Sequence, residues 1–345
     1  GSISSSSGGL LVFSENGSGG TMPSSSGIYS VSVDRALGVS LAGNVTIENL
    51  LTLTNGNLAL GNHQLTINGG ISVVSGGLTG STGCDIIMGG TGVSTGLPPV
   101  ETAALTLNRA SGISLLGDVT VHDLLTLTNG CLTIGANTLY INGLISATEN
   151  GSLGNSSSVV QVNEMPVLET LLFPAAELSE LVISRQAGTQ LDGAITLHNS
   201  LTLNSGNRLI GNYKTLTING ELQENGGSLT STQYSNLSIG GSGDAFGLDL
   251  SLLNDLTINR PNGVQMNSSL QIYGTLTLGE GMIIPGENDL TYASGASLRY
   301  RGTTTQTTSD AEWPEVSGPG FLISQNAQGI KLHASRTLQQ GLSLM

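Results

Sequence analysis

Charge is scarce in this sequence: 10% of its 345 residues are Asp, Glu, Lys or Arg, against roughly 25% in an average soluble domain. Aromatic residues are scarcer still, at 3% with a single Trp, which excludes an ordinary core built on large rings. Only two cysteines occur, Cys84 and Cys131. They stand too far apart in the pattern to need to meet, so they read as small buried hydrophobes rather than a disulfide, and no second Cys or His stands at ligand spacing for a metal. Lys and Arg number 10 against 24 acidic residues, a net charge of −14. Such a chain lacks a basic patch and repels nucleic acid and anionic lipid. No apolar run reaches the roughly 18 residues of a spanning helix, so membrane insertion is not expected.

What the chain has instead is glycine, 50 residues of it, and a repeat. Leu50-Leu51-Thr52-Leu53-Thr54-Asn55-Gly56 returns as Leu124-Leu125-Thr126-Leu127-Thr128-Asn129-Gly130. Looser copies follow at Leu201-Thr202-Leu203, Leu276-Thr277-Leu278 and Leu342-Ser343-Leu344, with steps of 74, 76, 75 and 66 residues between matching leucines. The flanks keep register, as a chance match would not. Leu65-Thr66-Ile67-Asn68-Gly69 recurs at 139–143 and 216–220, and Arg35, Arg109, Arg185 and Arg260 each close a short apolar alternation. The whole chain, 1–345, is therefore expected to form one array. Its units fall near 39–112, 113–188, 189–263 and 264–329, with partial units at 1–38 and 330–345, as in a piece of a longer protein.

Within a unit the apolar period is two, as in Val45-Thr46-Ile47 and Leu51-Thr52-Leu53, which puts aliphatic side chains on one face of a strand and small polar ones on the other. Only residues 168–183 approach a helical pattern, and Pro174 interrupts them. Strands of three to five residues separated by Asn-Gly or Gly-Gly are too short for a sandwich. They suit an all-β, right-handed parallel β-solenoid in which each coil pairs with the next. Spacing from Val39 to Leu58 to Leu78 predicts coils of 19 or 20 residues. On that count a unit holds roughly three coils, the third enlarged by a variable loop, and stacking should gather the loops on one side. Leu51, Leu53, Leu125, Leu127, Leu201, Leu203, Leu276 and Leu278 should face the core.

Candidate chemistry is thin. Asp118, His122 and Asp123 form the densest cluster of the kind a polysaccharide lyase or hydrolase needs, but one unit away their places hold Asn44, Glu48 and Asn49, which is polar drift on a wet face. Recurrent arginines at one corner point to a shared structural role, bonding to carbonyls. Gly240-Gly241-Ser242-Gly243-Asp244 resembles a calcium β-roll motif with its Asp one place early and no tandem copy. The Thr52/Thr54 and Thr126/Thr128 pairs lie a whole unit apart, too sparse for an ice-binding array and explained by β-propensity. That leaves the variable loops as ligand-facing candidates: Glu164 and Glu169, Asp244, and Asp310, Glu312, Trp313 and Glu315. Their acidic groups could hold calcium loosely, and Trp313 could stack on a sugar.

With their Leu-Thr-Leu-Thr-Asn-Gly and Leu-Thr-Ile-Asn-Gly signatures, these Gly/Thr/Asn-rich units resemble the long right-handed β-helical surface repeat proteins and adhesins of bacteria, above all those of the Bacteroidota and green sulfur lineages. The resemblance implies secretion, attachment at a cell surface or in a matrix, and no cofactor. It implies a non-enzymatic scaffold or adhesin segment whose partners are further repeats, end-to-end copies, a surface glycan or a partner-cell protein. The alternative is a carbohydrate-active β-helix enzyme.

Overall fold

The computed structural model describes residues 2–5, 7–14, 20–92, 94–164 and 169–345. No helix occurs among them. The chain divides into two compact units, residues 1–167 with 176–178, and residues 168–175 with 179–345. Each is a β-solenoid of stacked parallel strands, and the two together make about 16 turns. The near-helical stretch resolves into the strands Leu171–Phe173 and Ala176–Ile183, with Pro174 at the corner between them.

In the first unit one ladder runs Val45, Leu65, Ile86, Leu105, Leu125, Ile145, all in parallel register. Its steps are 20, 21, 19, 20 and 20 residues, which is the coil period. Period-two alternation makes this ladder work. Val45, Ile47, Leu65, Ile67, Ile86, Met88, Leu105, Leu107, Leu125 and Leu127 are buried, while Thr46, Thr66, Ile87, Thr106, Thr126 and Ser146 stack on the outer face. Burying each aliphatic side chain is worth roughly 1.5–3 kcal/mol. The eight signature leucines expected inside are all buried, none above 3% exposed. In the second unit a ladder runs Ile195, Leu216, Leu237, Leu256, Leu276, Leu298, Leu322, Leu342.

The count of coils per repeat differs from the sequence reading. Between Val45 and Val119 the chain makes eleven strand passes, since Val45–Asn55 and Val100–Asn108 each cover two. A ladder is regained every third pass, so a repeat is three and two-thirds coils, and no third coil is enlarged. The consequence is a walk of the signature around the section. Leu51 stacks between Val31 and Ile71, whereas Leu125 stacks beneath Leu105, on the ladder that begins with Val45. In the second unit Leu201 pairs with Leu222, but Leu276 lies on the neighbouring ladder of Ile195. The variable loops therefore do not collect on one side within a unit. In the second, Gly240–Ala245 and 301–305 follow the ladder of Ile195, while 309–320 lies beyond Gln306–Thr307, one corner further on.

Glycine is required where coils meet corner to corner. Gly56, Gly130 and Gly206, which end the signature, have φ of 73°, 89° and 68°, a left-handed conformation that other residues adopt at a cost. Gly69 is needed for space instead, because a Cβ there would sit 1.7 Å from the carbonyl oxygen of Asn49 on the preceding coil.

Candidate functional site

The loop residues singled out from sequence part into two sets. Glu164, Glu169, Asp244, Asp310 and Glu315 are exposed, whereas Glu312 and Trp313 are each only 3% exposed. Of the loop that carries Glu164, residues 165–168 lie outside the described residues. Trp313 thus does not offer its ring to a sugar. The indole anchors its loop, and its carbonyl oxygen accepts a hydrogen bond from Arg336 Nε at 3.2 Å.

Glu312 is the centre of a buried polar cluster. Its carboxylate accepts hydrogen bonds from the Tyr300 hydroxyl at 2.7 Å, the Ser309 amide at 2.6 Å and the Ser309 hydroxyl. Its backbone carbonyl accepts from the Tyr292 hydroxyl at 2.6 Å. Burial, reinforced by the nearby Glu312 charge, pushes the Tyr292 and Tyr300 hydroxyls well above the ordinary tyrosine range. Tyr300, Ser309 and Glu312 line an open cavity of about 500 Å³ together with Glu280, Gly281 and Met282. Every Glu312 oxygen already has a donor, so this carboxylate is a structural tie rather than a free acid.

Asp310 is tied as well. Its carboxylate meets His333 Nε2 at 2.8 Å and the Arg336 guanidinium, and Thr308 Oγ1 lies 2.6 Å from His333 Nδ1. His333 and Arg336 were not legible as partners of Asp310 from sequence proximity. They sit 23 and 26 residues on, close to one coil step of this region, and that step is the signal that would have paired them. Among the described residues no three His, Cys, Asp or Glu side chains come together as a metal site.

Two of the four recurrent arginines, Arg109 and Arg260, bond as corner ties. Buried Arg109 donates to the carbonyl oxygens of Gly89 at 2.8 Å, Ile67 at 3.1 Å and Gly69 at 2.6 Å, reaching across the two preceding coils. Burial lowers its pKa from the ordinary arginine value. Arg260 repeats the pattern on the carbonyls of Gly240, Gly220 and Asp244, at 3.0, 2.9 and 2.6 Å. The Gly240–Asp244 loop, similar in sequence to a calcium motif, therefore closes on a guanidinium. Asp118, the candidate acid, accepts a bond from the Thr138 amide at 2.8 Å. Asn44 makes the same coil-to-coil contact to the Gln64 amide at 3.0 Å. His122 lies 3.6 Å from Glu101 and 3.2 Å from the Asn142 amide.

Sequence reasoning also passed over an exposed aromatic pair. Tyr213 and Tyr234 stand on successive coils with ring centroids 5.2 Å apart. No protein-family model, curated protein or solved structure matches this chain.

Proposed function

We propose that this chain is a non-enzymatic extracellular scaffold or adhesin segment of a larger surface, matrix or filament protein. The observation that carries this reading is that the recurring polar positions are committed to joining coils. Arg109 and Arg260 each tie carbonyls of two preceding coils, and Asp118 and Asn44 each cap a backbone amide on the following one. Regular coils multiply length while the loops vary and turn from corner to corner, which suits presentation in several directions. Acidic charge of −14 keeps such a surface away from nucleic acid and anionic membrane.

The rival enzyme reading is separated by one paired measurement, a polysaccharide-degradation screen beside a glycan array on the same sample. Scaffold function predicts no released sugar from any polymer. Products that vanish in Asp123→Ala would replace it with a glycan-cleaving enzyme.

A further inference from the structure

The geometry points to a saccharide-binding platform at Tyr213 and Tyr234, an inference that rests on the adhesin reading and gives it a site. Aromatics make up 3% of the chain, yet two of them stand in contact on the surface. Tyr213 is 71% and Tyr234 39% exposed, with rings tilted by 40°. Their backbones are joined, the Tyr213 amide donating to the Tyr234 carbonyl at 2.7 Å, so neither ring moves without its coil.

Holding Tyr213 in that position takes an unusual backbone. Its φ is +58°, a left-handed value that is an outlier for a bulky residue. Earlier repeats make this corner as Gly61-Asn62-His63 and Gly135-Ala136-Asn137, with the left-handed residue at Gly61 or Gly135, φ 60° and 68°. The third repeat keeps the glycine, Gly211, but moves the left-handed conformation to the tyrosine. Strain placed on an exposed ring with a glycine two residues away is the kind that accompanies binding sites.

The surrounding donors define the ligand. Asn212 Oδ1 accepts from Thr232 Oγ1 at 2.8 Å, while the amide nitrogens of Asn212 and Gln233 and the Lys214 ammonium have no protein partner among the described residues. Two exposed apolar rings, with the side-chain N–H donors of Asn212, Lys214 and Gln233 on the residues next to them in the chain, match a pyranose, which has an apolar C–H face and a rim of oxygen acceptors. A polyanion with stacking bases would meet the same groups, but the chain's charge of −14 opposes it. Successive coils lie about 4.8 Å apart, so an oligosaccharide aligned with the stack can cover both rings.

The test uses the full chain against cellohexaose, maltohexaose and mannohexaose by titration calorimetry, after an array screen of neutral hexose oligomers. At least one should bind. Tyr213→Gly and Tyr234→Ala should each weaken it about tenfold or more, and Tyr213→Trp should retain it. Tyr213→Gly relieves the backbone strain, so its melting temperature should not fall, which separates loss of the platform from loss of the fold. No binding to any oligomer, or equal binding by Tyr213→Gly and Tyr234→Ala, overturns the site while leaving the scaffold reading to its own degradation assay. A change of oligomeric state in Tyr213→Gly without a change in sugar binding also overturns it, by assigning the rings to a protein contact.

Discussion

Two neighbouring glycines show how closely the coils constrain single residues. Gly69 has no room for a methyl group against the Asn49 carbonyl, whereas a Cβ on Gly70 would meet only side chains at ordinary contact distance, Leu50 at 3.5 Å and the Thr95 hydroxyl at 3.8 Å. Gly69→Ala should cost about 1–3 kcal/mol by forcing backbone apart, and Gly70→Ala less than about 0.5 kcal/mol, as read from denaturant midpoints. Arg109 makes the matching case for a side chain. A lysine there keeps the charge but loses the planar fork that reaches three carbonyls on two coils. Arg109→Lys is expected to destabilise by about 2–3 kcal/mol through carbonyls left without donors. An unchanged midpoint would show that the guanidinium contributes nothing beyond its charge.

At the scale of strands, much was legible and the reasons are local. Alternation in Leu51-Thr52-Leu53 gives both the strand and its buried side, and Asn-Gly gives the corner. The arginine corner was legible too, because its recurrence in every full repeat suits structure better than a single active site. The pairing partner was not legible. Signature matches report the 74-residue repeat, but the coil is set by every third strand pass, and Leu125 stacks on Leu105, from a different part of the motif. The same difference hid the stack of Thr46, Thr66, Thr106 and Thr126 on one outer face. Burial of Trp313 was hidden because the tyrosines and arginine around its loop, Tyr292, Tyr300 and Arg336, come from other coils.

The eleven-pass repeat makes its own prediction. Deleting residues 51–124 joins Leu50 to Leu125 and leaves each surviving strand opposite a kind of neighbour it already meets, Val45 facing the Leu139 strand in place of its counterpart at Leu65. The shortened chain should keep its circular dichroism per residue and a single cooperative transition in the first unit. Loss of that transition would mean that particular ladders, not kinds of neighbour, hold the coils together.

On the scale of the molecule, a solenoid couples each coil chiefly to its neighbours, so damage at one place need not spread. Alkali offers a clean way to see this, because Tyr292 and Tyr300 are buried beside Glu312 with their hydroxyl pKa values raised. A raised tyrosine pKa means that the folded state holds its proton more tightly than the unfolded chain. Their contribution is therefore complete below pH of about 10, the ordinary tyrosine value, and is lost progressively as pH rises above it. Phenolate absorbance should show Tyr292 and Tyr300 ionising only as their loop opens, well above the ordinary tyrosine value. Ionising either hydroxyl removes a bond to Glu312 and sets a second negative charge beside it. An alkali-tolerant protease should then cut first within the 301–320 loop, while the ladder from Val45 to Ile145, which contains no ionisable buried tyrosine, stays intact. Simultaneous cleavage in both places would show that the coils unfold as one body rather than neighbour by neighbour.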